Sequence, residues 1–240
     1  MRTPMVAKML SPSEARRHYE DKGYVHFKDV LDPGLIAEAD AHVDWLLARN
    51  PELRPEDLGH RLARHDPFWL RLVADDRLLD IAQIFIGPDI ALFATHYLCK
   101  PPRTGRPVLW HQDGTFWPLD PMEVITLWVA ITDSDPENGC LRVIPQTHTQ
   151  ALQGMTERQD VDSVLRSETD YNVDETQPSI SSCGPATSPC ITRTSCTART
   201  RTHPTAGAAP LRSVSFRRRP GSPNAMPPPP SCSEATRSKA

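Results

Sequence analysis

The chain has 240 residues and a formal net charge of −3 at pH 7. This length is sufficient for one domain with a sizeable core, and the near-balanced charge gives no indication of a nucleic acid or a membrane surface as partner. No apolar run approaches the length that crosses a bilayer, and the N-terminal residues lack the apolar segment and cleavage site of a secretion signal. We therefore expect a cytoplasmic protein.

Four helices are predicted in the first part of the chain. Ser11-Pro12-Ser13-Glu14 combines a capping serine, a proline at the first helical position and a glutamate three residues after the cap, and Gly23 ends the helix that follows. Asp32-Pro33 opens a second helix, whose apolar residues recur at helical spacing. Asp66-Pro67 opens a third helix by the same capping logic, and Asp75 or Asp76 opens a fourth.

Strands are predicted mainly after these helices. The candidate segments are rich in β-branched and aromatic residues and comprise 24–30, 90–100, 108–113, 124–132 and 140–144. Helices first and a run of strands afterwards favour an α+β fold, with a helical layer packed against a β-sandwich or barrel.

The composition changes abruptly near residue 176. Of the five Trp, four Tyr and six Phe, only Phe216 lies beyond this point, and Glu234 is the only acidic residue there. The segment is rich in Ser, Thr, Pro, Ala and Arg, which bury too little apolar surface to offset chain entropy. The sequence therefore predicts a folded domain over 1–175 and a disordered tail over 176–240.

The chemistry of the chain centres on His111-Gln112-Asp113. In an extended strand the first and third residues project from the same face, so His111 and Asp113 can hold one ion together. With one further histidine they would form the facial triad that binds non-haem Fe(II). A lone His-x-Asp can also be a polar pair on an exposed strand, so the surrounding residues decide between these interpretations.

Those surroundings are distinctive. Trp117-Pro118-Leu119, Val124 to Ala130 and Glu137 to Pro145 follow the His111-Gln112-Asp113 motif. In these segments, and over roughly residues 10 to 165, the chain closely resembles the phytanoyl-CoA dioxygenase family. The resemblance implies N-terminal helices on a double-stranded β-helix (jelly roll). It also implies an Fe(II)- and 2-oxoglutarate-dependent enzyme that uses O2 to hydroxylate a small or lipid-like organic substrate, with His111 and Asp113 as metal ligands.

Further residues are implicated by the same resemblance. Trp128 matches a tryptophan that lines the 2-oxoglutarate pocket, with core packing as its alternative, and the family positions around His96 approach the co-substrate. Gln112 is a third candidate for the cofactor pocket, although it points to the opposite face from His111 and a structural hydrogen bond is its alternative. Arg61 is a weaker candidate for a co-substrate carboxylate, since a loop arginine is usually a surface residue.

Two family features are missing. The family pattern requires a distal histidine and, some ten or more residues later, an arginine that holds the far carboxylate of 2-oxoglutarate. Only His203 occurs in the tail, outside any predicted strand. We hypothesise a shift of the reading frame before Ser182. Permitted codons read from the third base of Ser182 can give LRPGDVSLHHPYLVHGSNANT, and Leu211 to Arg217 can give TIRFVP in the same frame.

This loss leaves three functional interpretations. The chain is an oxygenase impaired by the absent histidine and arginine, with an incomplete β-helix. Alternatively, it is a non-catalytic jelly-roll remnant. A cupin-type isomerase would need several histidines clustered on the same strand face, and the sequence offers no such cluster.

Overall fold

The computed structural model describes residues 10–58 and 65–174 and, in addition, the backbone of 179–181, 189–192, 196–199 and 209–218. Within these residues, no helix combines the length and apolar character that a membrane crossing requires. Arg61, His203 and the disorder predicted for the remainder of the tail lie outside the described residues.

All four predicted helices are present, and each begins at the expected cap. They are α1 (Pro12–Lys22), α2 (Pro33–Arg49), α3 (Pro67–Val73) and α4 (Asp76–Ile86). The capping box of α1 is complete, because Ser11 accepts a hydrogen bond from the Glu14 main chain while the Glu14 carboxylate accepts one from the Ser11 main chain. Gly23 ends α1 with φ 80°, a left-handed conformation that favours glycine.

Eleven strands are described. They are β1 (Tyr24–His26), β2 (Ile90–Lys100), β3 (Val108–Gln112), β4 (Val124–Ala130), β5 (Leu141–Val143), β6 (Met155–Glu157), β7 (Ser167–Thr169), β8 (Ser179–Ser181), β9 (Pro189–Thr192), β10 (Cys196–Arg199) and β11 (Ala209–Arg218). Three short 3-10 helices, Pro55–Leu58, Asp113–Phe116 and Thr147–Thr149, lie between them.

Two antiparallel sheets form the body of the fold. The larger has the order β1-β9-β4-β11-β2, the smaller has the order β3-β10-β5-β8, and β6 and β7 form a separate hairpin. Strand β4 lies between the two apolar clusters of the domain. Leu127 and Val129 pack in the main core with the helices, whereas Trp128 and Ala130 pack against residues of β5 in the facing sheet. The N-terminal helices therefore cover the outside of a jelly-roll arrangement.

The described backbone does not confirm the incomplete β-helix that the sequence predicted. Strands β9 and β11 flank β4, and β10 lies between β3 and β5, so segments of the tail occupy interior positions of both sheets. Main-chain hydrogen bonds, which hold strands together, make few demands on side-chain type, and an unpaired β4 edge would leave buried polar groups unsatisfied. The tail contains few aromatic and acidic residues, and its composition therefore gave no indication of the strands that it forms.

Candidate metal centre

His111 and Asp113 converge at the end of β3. His111 is the penultimate residue of the strand, and Asp113 begins the 3-10 helix that follows rather than continuing the strand. His111 Nε2 lies 3.2 Å from Asp113 Oδ1, and both side chains are largely buried. The sequence-predicted pair is thus brought together, although by a turn of the chain and not by strand alternation.

Each of the two side chains is held by a second contact. His111 Nδ1 donates to the Leu109 carbonyl over 2.8 Å, which leaves Nε2 directed at Asp113. On the other side, Thr126 of β4 donates from Oγ1 to Asp113 Oδ2 over 3.1 Å. Such outer contacts fix the orientation of metal-ligating groups. Thr126 was not among the sequence candidates, although it is the one polar residue in the otherwise apolar β4.

The electrostatics favour an ionised carboxylate. Burial alone would raise the pKa of Asp113, but the hydrogen bond and the charge of His111, the charge of His96 and the hydrogen bond from Thr126 together lower this pKa below its ordinary value. Asp113 is therefore an anion at neutral pH, in surroundings with little water.

The pair fits a divalent metal ion. An imidazole nitrogen and a carboxylate oxygen directed at each other are two donor atoms of the kind that bind a divalent first-row metal ion. Two atoms bound to one ion at ~2.1 Å and at a right angle are about 3 Å apart, close to the 3.2 Å found here. Among the described residues, however, no group of three or more His, Cys, Asp or Glu side chains is arranged to hold a metal.

Trp128 and His96 lie in one row across the larger sheet. Cys190 of β9 pairs with Trp128, and Ser213 of β11 pairs with both Trp128 and His96. Residues directly opposite one another on neighbouring strands project to the same face, so His96 and Trp128 share the inner face. His26 belongs to the same row, since it also pairs with Cys190.

Trp128 carries an unused donor. Its side chain is only 4% exposed and packs against Ala130, Leu141 and Val143. Its Nε1 atom is buried and finds no hydrogen-bond acceptor among the described residues. Buried donors are nearly always paired in folded proteins, so this N–H is suited to a bound acceptor.

Gln112 does not face the metal pair. Its side chain is buried, and its Oε1 accepts a hydrogen bond from the Gln153 main chain over 2.9 Å. Strand alternation places it on the face opposite His111. This is the structural hydrogen bond that the sequence analysis gave as the alternative role of Gln112. It connects the end of β3 to a later loop.

Phe116 lies beside the metal pair, and the sequence analysis did not single it out. The Phe116 ring lies 6.2 Å from the His111 ring, and 47% of the side chain is exposed. An exposed aromatic ring next to a buried polar pair is a candidate contact for an apolar substrate. In the sequence, the one indication of a role for Phe116 was that it follows closely after the His111-Gln112-Asp113 motif.

The family model for phytanoyl-CoA dioxygenase (PhyH) matches residues 19–183. Phytanoyl-CoA dioxygenase 1 of Oryza sativa subsp. japonica is 29% identical over 147 residues, covering 61% of this chain and 52% of that protein. Ectoine dioxygenase of Sphingopyxis alaskensis is 31% identical over 159 residues, with 59% and 52% covered. The chain thus spans about half the length of these two relatives.

Solved structures show the same fold. EctD from S. alaskensis with bound Fe superposes with a TM-score of 0.66 at 19% identity, over 90% of this chain and 82% of that one. EctD with 2-oxoglutarate and 5-hydroxyectoine gives 0.65 at 18% identity, over 90% and 81%. Since the family model spans more than half of the sequence and includes the His111-Gln112-Asp113 motif, the chain belongs to the phytanoyl-CoA dioxygenase family.

Proposed function

We propose that the chain derives from an Fe(II)- and 2-oxoglutarate-dependent dioxygenase that hydroxylates a small or lipid-like organic substrate. The observation that carries this proposal is the pair His111 and Asp113, with Nε2 and Oδ1 3.2 Å apart and the carboxylate held as an anion. An imidazole and a carboxylate are two of the three protein ligands in a facial triad. EctD, a structural relative, has been solved with bound Fe and with 2-oxoglutarate.

His111 and Asp113 would hold the metal from one side. Fe(II) in such a site, with 2-oxoglutarate and O2, supplies the oxidising power for hydroxylation of a C–H bond. The protein contributes orientation through Leu109 and Thr126 and a largely buried setting that strengthens charge interactions.

Trp128 and His96 would line the co-substrate side of the pocket. The buried Trp128 Nε1–H has no acceptor in the part of the chain that the structure describes, so it can donate to a carboxylate. The charge of His96 acts on Asp113, which supports its closeness to the metal pair. Gln112 accepts a hydrogen bond from the Gln153 main chain, which favours its structural role over a place in this pocket.

A third ligand and an arginine for the far carboxylate would have to come from the tail. Strand β10 lies directly beside β3, with Thr197 opposite His111, so the backbone of this segment runs next to the metal pair. The residues of the present tail supply neither a histidine nor any other usual Fe(II) ligand at 197. We therefore expect weak Fe(II) binding and no turnover of 2-oxoglutarate by the chain as it stands.

The second candidate function, a non-catalytic jelly-roll remnant, is favoured by the lack of any three-residue ligand cluster among the described residues. Two proteins separate the alternatives: the present chain, and a variant whose residues 182–217 follow the shifted reading frame. Succinate formation from 2-oxoglutarate and Fe(II) is measured for both. Turnover by the shifted-frame variant, absent when it also carries His111→Ala, supports the oxygenase origin, whereas an inactive variant that folds and binds no Fe(II) supports the remnant.

The encoding DNA offers an independent check. Sequencing the codons for residues 170–217 tests whether they permit the shifted strings. Codons incompatible with those strings would end the frame-shift explanation and leave the remnant interpretation in place.

A further inference from the structure

His26 is a half-buried histidine for which neither the sequence pattern nor the proposed function has a use. It ends β1 and belongs to the same row as Trp128 and His96. Its Nε2 atom is out of contact with solvent and has no hydrogen-bond partner among the described residues. A buried polar nitrogen without a partner calls for an explanation.

The side chain of His26 faces the inside of the jelly roll. Its neighbours Val25 and Phe27 belong to the main core beneath the helices. Alternation along an extended segment therefore places Tyr24 and His26 on the other face. Tyr24 packs against the cluster that contains Trp128, which agrees with this direction.

Charge and donor type favour an anionic partner. Burial, followed by the nearby charge of Lys28, lowers the pKa of His26, so the imidazole is neutral at pH 7 and carries one N–H. Trp128 Nε1 is a donor that cannot accept, and it is also without a partner among the described residues. Two N–H donors and a neighbouring ammonium suit a carboxylate.

The two donors are close enough to serve one ligand. His26 and Trp128 lie on strands separated only by β9, so their Cα atoms are about 10 Å apart at the usual strand spacing. Both side chains extend inward from the sheet, which shortens the gap that a ligand has to bridge. His96 lies in the other direction from Trp128, towards Asp113.

We propose that His26 and Trp128 together form a carboxylate-binding pair on the inner face of the larger sheet. The carboxylate belongs either to 2-oxoglutarate or to the organic substrate. The proposal deepens the proposed function, on which it rests for the interior being a ligand pocket, and it assigns His26 a contact with the ligand.

The proposed carboxylate-binding pair is tested by measuring how carboxylate probes bind to the full-length, metal-free chain. The probes are 2-oxoglutarate, succinate and hexanoate, and the dissociation constants are measured by ligand-observed NMR or calorimetry. The variants are His26→Phe, which removes the nitrogen at similar size, and His26→Gln, which restores a donor. His18→Ala is the matched control, because His18 is an exposed histidine that contacts Tyr24 only by its ring edge.

A hydrogen bond to a charged group is worth roughly tenfold or more in affinity. We expect His26→Phe to weaken binding by at least this factor, and His26→Gln and His18→Ala to remain within about threefold of the unmodified chain. Loss with 2-oxoglutarate and succinate identifies the co-substrate as the source of the carboxylate. Loss with hexanoate alone identifies the organic substrate.

The proposal is overturned if the dissociation constants are the same in His26→Phe and in the unmodified chain. It is also overturned if no probe binds to the unmodified chain up to about 10 mM. If His26→Phe does not fold, the 15N resonance of His26 Nε2 is measured in the unmodified chain instead. We expect this resonance to shift when a probe is added and binds. A resonance that does not shift overturns the proposal. No metal is present in these measurements. An inactive shifted-frame variant therefore counts against the proposed function without altering this result.

Discussion

Thr126 on β4 donates from Oγ1 to Asp113 Oδ2 over 3.1 Å, so a strand of the larger sheet fixes a carboxylate that follows a strand of the smaller one. Thr126 is only 2% exposed, and little water is available to replace this hydrogen bond. The orientation of one of the two metal-ligand candidates therefore depends on correct packing of the two sheets against each other.

Replacement of Thr126 by valine is expected to weaken metal binding without unfolding the protein. The change preserves shape but removes the donor to Asp113, and loss of such an outer contact commonly costs 10-fold to 100-fold in metal affinity. Titration with Co(II), followed by its visible absorbance, measures the effect. Thr95→Val on β2, a threonine on the helix-facing side of the same sheet, is the control, and equal affinities of the two variants would contradict the role of Thr126.

Replacement of Trp128 by phenylalanine is expected to separate binding from stability. Trp128 Nε1 has no acceptor among the described residues, so its removal leaves no protein group newly unpaired. The smaller phenylalanine ring leaves a small cavity, so the free energy of unfolding should fall by about 1–2 kcal/mol, well below the loss of about 3–5 kcal/mol for truncation of a core tryptophan to alanine. The dissociation constant for 2-oxoglutarate should rise by roughly tenfold. A large loss of stability with unchanged 2-oxoglutarate binding would assign Trp128 to core packing.

Asp75 gives a pH-dependent contribution to stability. It caps α4, and its hydrogen bonds with Arg77 lower the pKa of its carboxyl below the usual value of 3.8. A carboxyl with a depressed pKa in the folded state stabilises the fold above its unfolded pKa, and this contribution is lost as the pH falls through the folded value. Asp75→Ala should cost about 1 kcal/mol at pH 7.

Chemical denaturation between about pH 2 and 7 measures this difference. The gap between the unmodified chain and Asp75→Ala should narrow on acidification below the usual pKa of 3.8. Asp76→Ala, a neighbouring carboxylate that does not provide the cap, serves as the comparison. A gap that is constant over the whole pH range would show that the charge of Asp75 does not contribute.

The hypothesis of a shifted reading frame places the arginine of the family pattern next to Ser213. In the shifted frame an arginine codon can begin with the last base of the Ser213 codon, and the backbone register places residue 213 opposite both Trp128 and His96. We expect Ser213→Arg to tighten 2-oxoglutarate binding at least tenfold through charge-assisted hydrogen bonds. Ser213→Gln, of similar reach but uncharged, should not, and an equal gain in both variants would argue against a restored carboxylate clamp.

The features that the sequence predicted well are local. Each helix start depends on a cap within three residues, as with Ser11 and Glu14, so a short segment contains the whole signal. The opposite directions of His111 and Gln112 follow from strand alternation, and the hydrogen bond from the Gln153 main chain to Gln112 agrees with it.

The features that the sequence analysis missed depend on contacts between residues that are far apart in the chain. The contact between Thr126 and Asp113 joins residues brought together by packing of the two sheets, and the row that unites His26 with Trp128 passes through β9, a strand of the tail. The tail strands themselves were missed because main-chain pairing leaves little trace in a composition poor in aromatic residues.

The most direct measurement is a Co(II) titration of the unmodified chain beside His111→Ala, Asp113→Ala and the exposed control His18→Ala. We expect weak but measurable binding by the unmodified chain and by His18→Ala, and loss of that binding in both of the other variants. Equal Co(II) affinity in all four proteins would contradict the assignment of His111 and Asp113 as the two metal ligands.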